Sequence, residues 1–487
     1  MADILDTPQA GPAAIRGGVI RVLGYGATVL LSVGSAALLF RHLGVEDGGR
    51  YVTVTSLVLV ASGLVDFGLT GIGVRELAVR DAGQRSLLMR NLVGLRIVLS
   101  LVGVAGAVAF AAAVDYSGAM VLGTLLAGLG FAAAAAQGTL VSVLNVELRL
   151  GLITALDLLR QVVFVAAIVL LVIAGAELLP FLAASLPAGI IVLLVTIAVV
   201  GGGIAVRPSF DWAEWKALLR DILPYAAATA LAAIYFRVSM VILSLVANPE
   251  ETGYFGASFR IIEALLAIPS LLVTAAFPIF ARAARDNRAR LGYAVQRLLE
   301  ATILVGGWIV LMLIVGAPVI VDIVAGDEFA PSADVLRIQA VALLATFAGA
   351  PLGYALLSLR RHGALLAITS GALALNCVLV PILADAHGAE GAAAATLAAE
   401  LALTGSGLVI LARIDRGLRP SLGVLVRAAP GFAAGCALLA VPGLPDAAAM
   451  ALATILYVGL ALALRAVPDE IFVEGRAALS ALRGGGR

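Results

Sequence analysis

Long apolar blocks separated by short polar joints run along the whole chain. A helix that crosses the hydrocarbon core of a bilayer needs about 20 mainly apolar residues. Fourteen blocks meet this requirement, and they lie near residues 18–40, 51–74, 87–114, 117–145, 152–175, 180–204, 219–246, 254–281, 297–324, 333–358, 363–384, 391–412, 422–441 and 446–466. The pattern therefore predicts an all-α, polytopic membrane protein.

Arginine-rich joints alternate with neutral or acidic joints along the chain. The basic joints are Arg75–Arg90, Arg207–Arg220, Ala281–Arg297, Arg360–His362 and Arg413–Arg419. Joints between them, such as Asp322–Asp334, carry little basic charge. Short loops rich in arginine and lysine stay on the cytoplasmic side during membrane insertion. We therefore expect a multi-pass protein of the cell (inner) membrane, with both termini in the cytoplasm.

Composition agrees with lipid as the solvent. Hydrophobic residues make up 62% of the chain, charged residues 13%, and the mean hydropathy is +1.09. A soluble domain is about half apolar and a quarter charged. The net charge of +1 gives no reason to expect a nucleic-acid partner. Cys377 and Cys436 both lie in apolar blocks, where we expect packing residues rather than a disulfide.

An internal repeat divides the chain into two halves. The segment Gly44–Tyr51 follows one span, and the similar segment Ala247–Tyr254 follows another about 203 residues later. An even number of spans in each half makes the copies parallel, and transporters built in this way place their substrate site between the halves. The predicted parts are a cytoplasmic tail at 1–16, an N-lobe of six helices at 17–210, a C-lobe of six helices at 211–415, two extra helices at 416–466 and a cytoplasmic tail at 467–487.

Motifs for catalysis, nucleotide binding or a metal are missing from the sequence. No Gly-Lys pair is present for a phosphate-binding loop, and no HExxH or cysteine-rich metal pattern occurs. We therefore expect a protein that is not an enzyme and needs no cofactor. The longest joint, about 205–218, carries Trp212 and Trp215, which we expect at the lipid headgroups.

Ionisable side chains inside the predicted spans are the candidates for function. Each costs at least about 2.5–3.5 kcal/mol at the bilayer centre, so it is expected to face the interior of the protein. These residues are Asp66, Arg96, Asp157, Arg160, Arg237, Arg260, Glu263 and Glu400.

Depth and spacing suggest pairs among these charges. Asp66 and Arg96 lie at similar depth on neighbouring spans, where they form either a structural salt bridge or part of a site. Arg260 and Glu263 are three residues apart and share a helix face. Arg237 could also meet Glu263, in which case one of the two arginines lines a cavity or bonds to backbone carbonyls.

The remaining polar residues within spans are expected to be mainly structural. Asp157 and Arg160 are also three residues apart and lie near the inner surface. Glu400 has no obvious partner, and we expect a neutral carboxylic acid bonded to a backbone carbonyl. Hydrogen bonds between helices or contacts to substrate are the two interpretations of Gln137, Gln161 and Asn376.

Arginines that line a cavity favour an anionic substrate. The guanidinium group matches phosphate by two parallel hydrogen bonds. An amphiphile with a phosphate head and a lipid tail fits such a site, because the head can enter the cavity while the tail stays in the bilayer.

Two stretches resemble the polysaccharide transporter (Wzx-like oligosaccharide flippase) family of the multidrug/oligosaccharidyl-lipid/polysaccharide (MOP) exporter superfamily. The first is Arg41–Tyr51, followed by Asp66-Phe-Gly-Leu69 and Arg75-Glu-Leu-Ala78. The second is Glu251–Glu263, which runs on to Ala276-Phe-Pro278. The resemblance covers about residues 15–415. The chain departs from the family pattern at Ser239, two positions after Arg237, where family members often carry an acidic residue.

The resemblance implies two helical bundles that work by alternating access and move a lipid-linked oligosaccharide, on a polyprenyl diphosphate, from the inner to the outer leaflet. It implies that Arg237 and Arg260, with Arg96, bind the diphosphate. Asp66, Glu263 and Glu400 become candidates for charge pairing or for coupling to protons or sodium. The product would be a cell-surface lipopolysaccharide or exopolysaccharide, and a polysaccharide polymerase and glycosyltransferases would be partners.

Three other functions remain open from the sequence. A cation-coupled multidrug exporter of the same superfamily would favour acidic and aromatic cavity residues over arginines. A peptidoglycan-precursor flippase would share the fold. A non-transporting scaffold for envelope enzymes would tolerate replacement of the buried charges.

Overall fold

The structure, a computed structural model, describes residues 10–66, 69, 73–74, 76–77, 82–201 and 207–467. Arg75, Phe67 and Gly68 of the first motif, and the tail residues 1–9 and 468–487, lie outside this part of the chain. Every regular element within it is helical, which confirms the predicted all-α fold.

Helices occupy the predicted apolar blocks in the described residues. Eleven segments are long and apolar enough to cross a membrane. Two of these are double, because helix α1 (Ala10–Asp66) is kinked at Gly44 and helix α13 (His362–Ile414) at His387 and Gly388. Together with the shorter apolar helix Ala230–Val246, they account for the fourteen predicted spans.

Helix contacts divide the chain into two compact units, Met1–Ala257 with Val324–Glu328, and Ser258–Ile323 with Phe329–Arg487. Besides α1, the first unit contains α2 (Ala82–Ala113), α3 (Gly118–Val146), α4 (Leu150–Ile173), α5 (Leu178–Ala183), α6 (Ser185–Val200), α7 (Trp212–Val246) and the start of α8 (Pro249–Leu265). In this unit α1 packs against α2, α3, α4 and α7. The predicted lobe boundaries near residues 210 and 415 come from the sequence repeat. Contacts between helices do not test these boundaries, so they stay predictions.

The second unit contains the remaining helices. Besides α13 and the end of α8, these are α9 (Ala267–Asp286), α10 (Arg288–Val315), α11 (Ala317–Ala325), α12 (Ser332–Ser358), α14 (Gly423–Ala437) and α15 (Asp446–Ala463). Helix α12 packs against α9, α10 and α13. One buried apolar cluster, which includes Leu291, Leu356, Leu411 and Leu418, joins the ends of α10, α12 and α13.

The last two helices are fixed to α10 by specific contacts. The Tyr457 hydroxyl donates to the Leu304 carbonyl at 3.0 Å, and the Trp308 indole donates to Thr454 at 3.2 Å. A Cβ at Gly307 would lie 2.6 Å from the Tyr457 hydroxyl. The α14–α15 hairpin, which has no counterpart in the repeat, is therefore an integral part of the second unit.

The two copies of the repeated segment pack against each other within the first unit. A Cβ added to Gly49 would overlap the Pro249 carbonyl oxygen, and one added to Gly253 would overlap the Val45 carbonyl oxygen. Gly49 with Gly253, and Val45 with Pro249, are each separated by 204 residues, within one residue of the repeat spacing of about 203. The two contacts therefore exchange under the internal symmetry, and both require a residue without a side chain.

Trp215 corrects the expectation for the connector. Trp212 is 70% exposed, as a headgroup residue should be, but Trp215 is only 7% exposed and belongs to the core of the first unit. Residues 207–211 lie along α2, where the Ser209 amide donates to the Arg90 carbonyl at 2.9 Å. Trp215 packs into this core, and the exposed ring of Phe210 lies edge-on against it, with the ring centroids 5.7 Å apart.

Replacing Gly49 by alanine should destabilise the protein, since the added methyl group overlaps a backbone atom that cannot rotate away. We expect a loss of about 1–3 kcal/mol, typical of overpacking, measured as a lower thermal-unfolding midpoint in detergent. Gly106→Ala is the matched control, because Gly106 is also helical but a Cβ there has nothing within 4 Å. Equal midpoints for the two variants would contradict the close contact.

Candidate functional site

The side chains of Asp66 and Arg96 form an ion pair at the end of α1. Arg96 Nη2 lies 2.5 Å from Asp66 Oδ1. The guanidinium group is buried, with 3% of the side chain exposed, whereas 47% of the Asp66 side chain is exposed. The pair joins α1 to α2 at the similar depth that the sequence indicated.

Arg96 also donates to fixed groups other than this carboxylate. Its Nε donates to the Thr139 hydroxyl on α3 at 3.1 Å, and its Nη1 to the Asp66 carbonyl at 3.4 Å. All three guanidinium nitrogens therefore have protein acceptors. These contacts favour a positioning role that ties α1, α2 and α3 together, and the assignment of Arg96 to the diphosphate stays a prediction.

Arg260 and Glu263 form the pair expected from their spacing on α8. Arg260 Nη1 lies 2.9 Å from Glu263 Oε2. Both side chains are partly exposed, at 36% and 26%. The carboxylate compensates the arginine's charge on the same helix.

Arg237 is the more deeply buried of the two arginines of α7, with 9% of its surface exposed. Its guanidinium carbon lies 5.2 Å from the centroid of the Phe236 ring, within the range of a cation–π contact. Ser239, which stands where an acidic residue is usual in the family, is buried as well. The expected contact of Arg237 with Glu263 stays a prediction.

Glu400 forms a hydrogen bond with a neighbouring helix. The Thr346 hydroxyl of α12 lies 2.9 Å from Glu400 Oε2 and 3.2 Å from the Ala342 carbonyl oxygen. A hydroxyl has one proton, so Thr346 either donates to the Glu400 carboxylate or donates to Ala342 and accepts from a protonated Glu400. A neutral Glu400 bonded to a backbone carbonyl stays a prediction.

The remaining polar residues within spans differ in how far they are exposed. Asp157 and Arg160 lie 3.9 Å apart on α4, and each side chain is nearly half exposed. Gln137 and Asn376 are buried in their helices. Their assignment to hydrogen bonds between helices or to substrate stays a prediction.

Two threonines that the sequence analysis missed support the charged residues. Thr139 binds Arg96 and Thr346 binds Glu400. The Thr139 hydroxyl donates to the Ala135 carbonyl, and the Thr346 hydroxyl lies 3.2 Å from the Ala342 carbonyl. Threonine commonly contacts the carbonyl four residues earlier in an apolar helix. The sequence therefore carries no signal that separates them from other threonines within spans.

A narrow cavity between α1, α2 and α3 lies next to the Asp66–Arg96 pair. Its lining includes Val65, Ser100 and Phe131 and is apolar apart from two serines. It presents no cationic group and is unsuited to an anionic head. The charged residues of this unit therefore do not form an anion site at this cavity.

Comparison with known families identifies the chain. The sequence model of the family described as "Polysaccharide biosynthesis protein" matches residues 14–284, which is more than half of the chain. The chain belongs to this family. Membership of this family makes the chain a membrane transporter of the MOP exporter superfamily. None of the curated proteins matches the chain in sequence.

Solved structures of transporters share the fold of this polysaccharide biosynthesis family member. The lipid II flippase MurJ, in an inward closed conformation, superposes with a TM-score of 0.76 at 11% identity and covers 94% of this chain and 100% of its own. An inward-facing multidrug resistance MATE transporter of the MOP superfamily gives a TM-score of 0.65 at 14% identity, covering 83% of this chain and 99% of its own.

A MOP superfamily transporter from Pyrococcus furiosus, described as having a binding pocket of reverse polarity, gives 0.58 at 15% identity, covering 84% of this chain and 96% of its own. At these identities the likeness establishes the fold alone.

The Asp66–Arg96 pair should be energetically coupled. A double-mutant cycle of Asp66→Asn and Arg96→Gln should give a coupling of about 1–3 kcal/mol in unfolding experiments, because one partner is buried. The value should stay below that of a fully buried pair, since half of Asp66 is exposed.

The exposed pair Glu147–Arg149, at 3.4 Å, is the control for this cycle, with an expected coupling of about 0–1 kcal/mol. Equal coupling in the two cycles would show that burial adds nothing at Arg96.

Proposed function

We propose that the protein flips a lipid-linked oligosaccharide, carried on a polyprenyl diphosphate, from the inner to the outer leaflet for cell-surface polysaccharide synthesis. The family match and the MOP fold support a membrane transporter. The observation that carries the substrate class is the presence of buried or half-buried guanidinium groups within spans, at Arg237 and Arg260. Flipping would proceed by alternating access.

Arginine suits the diphosphate because its charge persists away from water and its donors match phosphate oxygens. We assign this contact to Arg237 and Arg260. Arg96 has a weaker claim, because its three nitrogens already donate to Asp66 and Thr139. The lipid tail would remain in the surrounding bilayer during transfer.

Glu263 is positioned to regulate Arg260. Its Oε2 atom lies 2.9 Å from Arg260 Nη1 and accepts a hydrogen bond from it. A proton or a sodium ion that binds Glu263 would weaken this pair and release the guanidinium for the diphosphate. We therefore propose Glu263 as the group that couples an ion to substrate binding, with Asp66 and Glu400 as further candidates.

The proposed setting is the cell membrane, with both termini in the cytoplasm, where the arginine-rich joints direct them. Glycosyltransferases would build the substrate on the inner leaflet, and a polysaccharide polymerase would consume it on the outer side. The bilayer lipid is the second partner.

A peptidoglycan-precursor flippase is the second candidate function. The observation that favours it is the complete coverage of MurJ by this chain. Purified protein in liposomes distinguishes the two functions, because lipid-linked oligosaccharide and lipid II can be supplied separately. Transport of lipid II alone would replace the first proposal by the second.

Arg237→Gln and Arg260→Gln should each slow flipping of a defined lipid-linked oligosaccharide in liposomes by about tenfold or more. A hydrogen bond to a charged group contributes about 1.5–3 kcal/mol, which supports this magnitude. Arg149→Gln, in the exposed joint between α3 and α4, is the control for loss of one positive charge. Unchanged rates in both variants, with normal insertion, would disprove the assignment.

Glu263→Gln should abolish the response of the flipping rate to an imposed proton or sodium gradient across the liposome, because an amide carries no charge with which to bind the ion or to pair with Arg260. Glu147→Gln is the matched control, since Glu147 lies in the exposed joint between α3 and α4, outside the proposed site. If the Glu263 variant keeps the wild-type response to the gradient, coupling through this residue is wrong, and the arginine variants decide separately whether the diphosphate binds at Arg237 and Arg260.

A further inference from the structure

One end of the second unit carries an unusually one-sided charge. The joints 282–290, 360–362 and 413–427, together called the arginine face here, contain ten arginines and two acidic residues. All ten arginines are exposed. They surround the buried cluster that joins the ends of α10, α12 and α13. The joints therefore form one surface rather than three separate loops.

The corresponding joints of the first unit are mixed in charge. Residues 75–90, 147–160 and 207–220 contain nine basic and six acidic residues. Ion pairs among them include Arg149 with Glu147 and Arg160 with Asp157. The number of basic residues is thus similar in the two units, and the difference lies in the acidic residues.

Membrane insertion does not explain this difference. Orientation depends on arginine and lysine, and acidic residues contribute little to it. The first unit satisfies the rule with six carboxylates present in its joints. The shortage of acidic residues on the arginine face therefore points to an anionic partner that such residues would repel.

Exposed apolar side chains indicate that the arginine face lies at the depth of the lipid headgroups. Along the helices that lead away from the arginine face, Ile279, Leu366 and Val409 are 53%, 41% and 50% exposed, and Val426 is 75% exposed. Exposed apolar side chains on spanning helices face the hydrocarbon of the bilayer. Arginines at the ends of such helices reach the headgroups.

We propose that the arginine face binds the phosphate headgroups of anionic phospholipids, and that the first unit has no equivalent site. In the described residues the face offers exposed guanidinium groups, and the carboxylate of Asp415 already accepts from the Gly417 amide at 2.8 Å. An anionic lipid surface attracts the basic residues that lie close to it. Binding at this face requires neither the flipped substrate nor its transport.

Arginine footprinting of the wild-type protein tests the proposal. The full-length protein is placed in nanodiscs of phosphatidylcholine, with or without about one quarter phosphatidylglycerol, and modified with phenylglyoxal before peptide mass spectrometry. Phosphatidylglycerol should slow modification of Arg288, Arg290, Arg360 and Arg361 by about fivefold or more. High salt should remove most of this protection by screening.

Exposed arginines of the first unit provide the internal control. Arg149, Arg160 and Arg220 should change by less than about twofold, because carboxylates in their joints compensate the local charge. Equal protection in the two units would overturn the proposal in favour of a general surface effect. The proposal would also be wrong if phosphatidylglycerol did not slow modification of the arginine face. A face that is already unreactive without phosphatidylglycerol, as it would be under an acidic protein, counts as this second result.

A pair of matched variants gives a second measurement. The first carries Arg288→Gln, Arg290→Gln, Arg360→Gln and Arg361→Gln; the second carries Arg149→Gln, Arg160→Gln, Lys216→Gln and Arg220→Gln. Both lose four positive charges. Only the first should lose the rise in unfolding midpoint that phosphatidylglycerol causes in the wild type, and the opposite result contradicts the proposal. The footprint decides the question if either variant fails to insert.

Discussion

A guanidinium group within a hydrophobic bundle must keep its charge and all its hydrogen bonds without bulk water. Arg96 meets this requirement through the Asp66 carboxylate, the Asp66 carbonyl and the Thr139 hydroxyl. Three helices have to lie in fixed register for these acceptors to meet one side chain. The same contacts that make the charge tolerable thus define how the first unit is assembled.

Arg260 satisfies the requirement in a different way. Its partner Glu263 lies on the same helix, so the pair needs no neighbouring helix to form, and both side chains remain partly exposed. In the proposed mechanism an ion at Glu263, or a phosphate at Arg260, would open this pair. The contrast supports a structural role for the Asp66–Arg96 pair and a dynamic role for Arg260 and Glu263 in the proposed transport.

Close backbone packing is the second feature that organises the bundle. Gly49 and Gly253 allow the two copies of the repeated segment to approach within the first unit, and Gly307 makes room for Tyr457 in the second. Lipid tails are as apolar as leucine, so helices in a membrane gain little from burying leucine alone. Small residues and hydrogen bonds between helices therefore determine which faces meet. The α14–α15 hairpin uses both, with Tyr457 and Thr454 bonded to α10.

The sequence alone determined the membrane environment, the fourteen spans, the internal repeat and the charged residues inside spans. These are local properties, because a run of apolar residues or an arginine within it is visible without knowing any neighbour. It also gave the Arg260–Glu263 contact, which depends only on helical periodicity. The tertiary structure decided that Thr139 and Thr346 hold charged groups, that Trp215 is buried and that Gly49 meets Pro249. Each of these depends on the rotation and register of one helix against another, and the packing of the whole bundle sets both.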